Sequence, residues 1–331
     1  MQQRPTLVQV AHHAGVSLAS ASRALSGGGA SKKTSDKVRI AAQELGYLPD
    51  ATARSLKIGR KLQIAFAVDD IGNPVYVDML RAIEETVSGQ ELRLMVSSTG
   101  RTQQETLEVV RDLKRGYADG LIISPLRVTQ ELVDEITNAT VPVIVIGAMP
   151  EAAGVDTVKT NSALGVQLAV THLLERGRKS IGFINGPLDT TPGAARQRGF
   201  DVAQPGSALQ IVAKDFTVQA GMQAARELLR LQLEPNRTKL DAIVAANDLL
   251  AIGAIHAAVE LGLRVPEDLA VIGIDDIAFA DTFNPPLSSV SLGSAQRGRL
   301  AAQLLLDRLA NPLKEPQRLM VDPTLVVRQS T

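Results

Sequence analysis

A chain of 331 residues without cysteine excludes disulfides, thiolate metal sites and a cysteine nucleophile, and it fits a cytoplasmic location. Apolar residues make up 45%, as in a globular protein; no apolar run nears the roughly 20 residues of a membrane helix, and the polar start around Met1 and Arg4 predicts no export signal. The net charge of zero is uneven: residues 1–61 hold ten Lys and Arg against three acids, +7, which leaves −7 elsewhere, so a polyanionic partner is expected at the basic head alone.

Thr6 to Leu25, TLVQVAHHAGVSLASASRAL, predicts two short helices joined by a tight turn. Leu7, Val10, Ala11 and Ala14 recur at helical spacing. Gly15 supplies the turn, and Ser17 is a natural N-cap for a second helix starting at Leu18. Ala11, Gly15 and Ala21 are small where the two helices of a helix-turn-helix cross. Leu18, Ala19, Ser22 and Arg23 are exposed near the start of helix two, where such motifs read the major groove. Any small helical hairpin can share this spacing. Gly27-Gly28-Gly29 reads as a flexible connection. Thr34 or Ser35 is expected to cap a third helix through about Leu45, with Val38, Ala41, Ala42 and Leu45 inward, and Gly46 ends it. Residues 1–49 thus form a head too small to be very stable alone. Residues 50–61, opened by Asp50, form a hinge with helix-forming residues but too few to hold a helix without a partner.

From Leu62 the pattern changes. Strand-like runs recur: LQIAFAV, LRLMVSS, DGLIISP, PVIVIGA, SIGFING, LQIVAKD, DAIVAAND and LAVIGIDD. Helical patterns separate them at Asp78–Ser88, Gln104–Lys114, Gln130–Asn138, Ala163–Arg176, Thr217–Leu231, Leu249–Leu261 and Gly293–Leu309. Strands alternating with helices predict an α/β fold of right-handed βαβ units and parallel sheets. The expected body, residues 62–331, has two doubly wound lobes. Lobe 1 takes about 62–160 and 292–321, and lobe 2 about 161–291 and 322–331, because the late helix and the strand LMVDPTLVV return to complete both. A cleft is expected at the carboxyl ends of the strands.

In this order of parts the chain resembles the LacI/GalR family of bacterial transcription regulators, across essentially its whole length. The motifs are VAHHAGVSLASASRALSG, AAQELGYLPDATARSLKIGR, DDIGNPVY, THLLERGRKSIGFINGP, ARQRGF, AANDLLAIGA and VIGIDD followed by NPPLSSV. The resemblance implies a helix-turn-helix head, a hinge and a periplasmic-binding-protein-like body. It places Leu18 and Ala19 on the base-reading pair and Arg23 on a further base contact. An Arg can donate two hydrogen bonds to guanine, while Leu18 and Ala19 offer apolar contacts. Thr6, Ser17, Ser22 and basic residues, with Arg54 and Lys57 of the hinge among them, are expected on phosphates. Leu56 matches a hinge leucine wedged into the minor groove. For the effector, Asn73 and Tyr76 of GNPVY match a ligand-touching loop, and Ser124 ends a strand at the same cleft. Arg196 matches an Arg that grips ligand hydroxyls, Phe216 an aromatic that stacks on a sugar face, and Asn247 and Asp275 polar residues that bond hydroxyls. Asp248 and Asp276 are expected to cap the structure after their strands. Val75, Gly147 and Leu292 depart from the family pattern and leave the effector open.

No catalytic set appears. His12, His13, His172 and His256 fall in predicted helices, and AVDDIGNPV has neither dinucleotide nor P-loop spacing. No metal and no cofactor are expected. An exported sugar-binding protein would share the body but lack the basic head. The reading is therefore a homodimeric, cytoplasmic and nucleoid-associated DNA-binding repressor of a near-palindromic operator, with no membrane partner. Its small-molecule effector is a neutral sugar ahead of a sugar phosphate, since Asp275 disfavours phosphate close by, with a nucleobase third.

Overall fold

Residues 5–25, 28–48, 61–90, 92–100, 102–204, 208–235 and 238–331 are described by the structure, a computed structural model. They fall into two units, Met1–Lys61 and Leu62–Thr331.

In the first unit, α1 (Leu7–His13) opens in a capping box: the Thr6 hydroxyl accepts from the Gln9 N–H while the Gln9 side chain accepts from the Thr6 N–H. Gly15, at a φ of 66°, turns the chain. The Ser17 hydroxyl then accepts from the Ser20 N–H at 3.2 Å and starts α2 (Leu18–Leu25). The third helix, α3 (Lys32–Leu45), begins earlier than Thr34 or Ser35 would allow. Its cap is Ser31, whose hydroxyl takes the Thr34 N–H, and Gly46 closes it in the left-handed conformation. Val10, Ala11, Ala21, Ala24, Val38, Ala41 and Ala42 form the core. Five alanines in seven residues let three short helices approach closely but bury little area. The His13 ring meets the Glu44 carboxylate at 2.7 Å and ties α1 to α3. The hinge residues Arg54, Leu56 and Lys57 lie outside the described residues.

The second unit contains two sheets. The first is built from β1 (Gln63–Val68), α4 (Val75–Val87), β2 (Arg93–Ser98), α5 (Gln103–Asp112), β3 (Gly120–Ser124), α6 (Gln130–Thr137), β4 (Val143–Ile146) and β5 (Asp156–Thr160). The second is built from α7 (Ser162–Glu175), β6 (Ile181–Asn185), α8 (Thr191–Ala203), β7 (Gln210–Val212), α9 (Val218–Leu231), β8 (Ala242–Ala245), α10 (Asp248–Glu260), β9 (Ala270–Ile274), α11 (Ala278–Thr282) and β10 (Ser288–Ser291). The chain then returns through α12 (Ser294–Ala310), β11 (Arg318–Val321) and β12 (Thr324–Val326). Strand orders are β11-β5-β4-β3-β1-β2 and β12-β10-β9-β8-β6-β7. Among the described residues every pairing is parallel except β10 with β12.

Alternation along β1 explains why both faces of the first sheet are covered. Ile64, Phe66 and Val68 enter one core with Met79, Ile83 and Leu305, whereas Ala65 and Ala67 enter another with Leu107, Val110 and Leu132. The segment LMVDPTLVV is two strands, not one. Pro323 interrupts it, and β11 joins the first sheet while β12 joins the second. The chain therefore crosses between the lobes three times, after β5, after β10 and after β11.

Helix α10 is buried almost all round and lies tightly on α9. A Cβ at Gly253 would stand 2.2 Å from the Val218 carbonyl oxygen and 2.5 Å from the Met222 nitrogen. Backbone cannot give way there as a side chain could. Gly253→Ala is expected to lower stability by about 1–3 kcal/mol or more. Urea unfolding of the variant within a few tenths of a kcal/mol of wild type would refute this close helix contact.

Candidate functional site

Two places gather the residues that the sequence singles out. In the head, Leu18 is 49% exposed, and Ala19 and Arg23 are also on the surface, one helical turn apart on α2. Ser22 is half-buried. Thr6 and Ser17 are exposed, with their hydroxyls already used as helix caps. The capped N-terminus of α2 presents the positive end of its dipole beside this face. That combination of small, apolar and guanidinium groups on one exposed helix face suits a base-pair edge and its flanking phosphates.

In the body, Asn73, Tyr76, Ser124, Arg196, Phe216, Asn247 and Asp275 line one cavity of about 330 Å³. Asn73, Tyr76 and Ser124 come from the lobe of the first sheet, and the other four from the lobe of the second. Tyr76 stands in the first turn of α4, not in a loop. The helix starts at Val75 behind Pro74, and the Asn73 side chain accepts from the Val75 N–H at 3.2 Å. The Tyr76 hydroxyl donates to Asp69 at 2.5 Å. Burial, then the Asp69 charge, pushes the Tyr76 phenol well above its ordinary pKa, so it remains a neutral donor.

Arg196 projects from α8, a helix that carries no apolar stripe and escapes the periodicity reading. Its signal is instead Thr190, which caps Gly193, followed by Pro192 at the start. The Arg196 Nη2 donates to the Asp275 carboxylate at 3.2 Å, and both side chains are buried. The guanidinium carbon also lies 5.9 Å from the centre of the Phe216 ring. That ring fits because Gly186 has no side chain: a Cβ there would stand 2.1 Å from it. Asn247 caps α10 by accepting from the Leu250 N–H and gives its amide to the Phe216 carbonyl at 3.2 Å, so it fixes the ring as well as facing the cavity. Asp275 holds a φ of 117°, unusual for a residue with a side chain. Burial raises its pKa, opposed by the charges of Arg196 and Arg297.

Sequence reading missed Arg297, which enters the cavity from α12, together with Lys159 and Thr191. Arg297 lies on a helix face otherwise made of Ser294, Gly298, Ala301, Ala302, Leu304 and Leu305. That face packs on α4, where a Cβ at Gly298 would stand 2.5 Å from the Met79 carbonyl oxygen. Burial pushes the Arg297 pKa down to about 10, against the charge of Asp275.

Two bonds cross the mouth of the cleft. The Thr191 N–H donates to the Leu126 carbonyl at 2.7 Å, and Arg127 Nε meets Asp189 at 2.6 Å. Asp248 and Asp276 serve the structure around β9. Asp248 accepts from the Ile277 N–H and the Ser289 hydroxyl, and Asp276 pairs with Arg328 at 2.7 Å. None of the four histidines lines the cavity. His172 meets Thr331 at 2.9 Å, and the His256 ring lies 5.5 Å from that of Phe283.

The comparisons cover both units. Residues 6–50 match the model described as bacterial regulatory proteins, lacI family, and residues 170–331 match a periplasmic binding protein-like domain. The ribose operon repressor of Escherichia coli (strain K12) is 32% identical over 333 residues, covering 98% of this chain and 99% of the relative. A crystal structure of the lac repressor dimer bound to operator and the anti-inducer ONPF superposes with a TM-score of 0.87 at 26% identity, over 99% of both chains. A LacI family transcriptional regulator from Enterococcus faecium with bound ribose gives 0.71 at 27%, over 81% of this chain and 98% of the other. With a helix-turn-helix head, a two-lobed body and a full-length match to an operon repressor, the chain belongs to the lacI family of bacterial regulatory proteins, and it binds DNA to regulate transcription.

Proposed function

We propose that this protein is a dimeric repressor acting in the cytoplasm, without a catalytic step, whose operator affinity is set by a sugar-type effector held between the lobes. The observation that carries this is the cavity lined from both lobes, with amide, hydroxyl, guanidinium and carboxylate groups around one aromatic ring. Such a set suits hydroxyls on a ring with one apolar face. The ribose bound by the Enterococcus faecium relative supports the same class. A ligand that bonds both lobes favours one angle between them, and linkage then couples its binding to DNA affinity. Residues 50–61 pass that change to the heads, with Leu56 at the operator centre. Leu18, Ala19 and Arg23 read bases, and Thr6, Ser17, Ser22, Arg54 and Lys57 hold phosphates.

The test has two stages on the full chain. Selection from random duplexes is expected to return a near-palindromic site. A thermal-shift screen of sugars, sugar acids, sugar phosphates and nucleosides is then expected to give a hit that changes operator affinity in a binding assay. A hit that raises the melting temperature yet leaves operator affinity unchanged would sink the coupling, and a nucleoside as the sole hit would replace the sugar.

A further inference from the structure

The cleft holds more positive charge than its protein partners balance. Arg196 and Arg297 are 5% and 8% exposed, and they enter from different lobes. A guanidinium stays charged even when buried. Asp275 is the one carboxylate that lines the cavity among the described residues, and it bonds Arg196. Arg297 makes no ion pair among the described residues. Its Nη2 reaches only the Ser294 hydroxyl at 3.4 Å. The Nε of Arg196 and that of Arg297 are both buried without a hydrogen-bond partner. Such donors are costly to leave unmade. Lys159 adds a further cation to the lining, and Arg198 another at its exposed edge.

The acids nearby do not cancel this. Asp276 is neutralised by Arg328. Asp248 does not line the cavity; it is bonded to Ser289 and Ile277, and burial, then the Asp275 charge, raises its pKa well above the ordinary carboxylate value. Asp69 is taken by the Tyr76 hydroxyl. Packing does not explain Arg297 either, because the rest of its helix face is small or apolar. On the same helix Arg308 is matched by Asp156 at 2.8 Å.

We propose that the effector is a polyhydroxylated molecule of monosaccharide size carrying one anionic group, a carboxylate or a phosphate, and that Arg297 and Arg196 grip that group from the two lobes. This rests on the reading that the cleft takes a sugar-type ligand, and it replaces the neutral sugar that the sequence favoured. A cavity of about 330 Å³ is at the small end of ligand sites, which suits a single ring with its substituent. An exposed guanidinium such as that of Arg299, on the same helix, could not do the same, because water screens it; burial makes the charge selective.

Calorimetric titration of the full chain tests this with matched probes: glucose and galactose, glucuronate and galacturonate, glucose 6-phosphate and galactose 6-phosphate. One anionic series is expected to bind roughly 10- to 100-fold more tightly than its neutral parents, as charged hydrogen bonds imply. Whichever series does so identifies the group as carboxylate or phosphate. In Arg297→Met that preference should collapse, and Arg297→Lys should restore part of it. Neutral parents that bind as tightly as both anionic series would overturn the proposal and leave the sugar-type reading standing. Binding by none of the probes would overturn both. An unchanged preference in folded Arg297→Met would remove Arg297 from recognition.

Discussion

Asp275→Ala will destabilise the body by about 3–5 kcal/mol, the range for removing one partner of a buried ion pair. The carboxylate lies between two buried guanidiniums, bonded to one and within electrostatic reach of the other. Without it both charges stay in a low-dielectric site with nothing to offset their lost hydration. The φ of 117° gives a control. Asp275→Gly relaxes the backbone, so any difference between the glycine and alanine variants measures conformational strain rather than charge. Removing Arg196 as well should cost less than removing Asp275 alone: Asp275→Leu combined with Arg196→Met is expected to recover part of the loss, because replacing a buried pair by apolar groups is often neutral, while Arg297 stays buried without its carboxylate. Urea unfolding of Asp275→Leu, Arg196→Met and the double variant makes a complete cycle. A double variant that costs the sum of the two single variants would mean that the pair carries no coupling.

Operator binding by the Arg23→Ala variant will fall toward the level of random DNA. One good base contact discriminates by about 1–3 kcal/mol, and a dimer carries the change twice. The electrostatic part should survive, because the rest of the head's positive charge is untouched. For wild type and variant alike, affinity should fall by on the order of 10³-fold between about 50 and 200 mM salt, with the same slope. Fluorescence anisotropy on operator and scrambled duplexes across a salt series separates the two roles. A variant that keeps its operator-to-scrambled ratio but loses slope would make Arg23 a phosphate contact.

The fold was legible wherever one physical rule governed a stretch. Alternating strands and helices announced parallel sheets, because buried strands such as AIVA and AVIGI leave no polar face. Elements governed by capping or by tertiary partners were not legible. The helix Thr191–Ala203 is rich in glycine and charge and has almost no apolar rhythm. The strand Ser288–Ser291 looks like a loop until its buried serines are seen bonded to Asp248, Ser330 and Thr331. The cleft shows the same division. Residues at strand ends could be named from sequence, since that is where parallel sheets bind ligands. Arg297 could not, because only the packing of α12 on α4 turns a residue in a helical stripe into a wall of the cavity.

The three crossings between the lobes also set the order in which the protein can be finished on the ribosome. The strands β11 and β12 lie C-terminal to every other strand, yet each forms an edge of a different sheet. The first sheet cannot be completed until β11 has emerged, nor the second until β12 has, whereas the head needs only the first few dozen residues and can fold early. A nascent chain thus carries a folded, basic head for most of its synthesis, tethered to a body still unable to hold an effector.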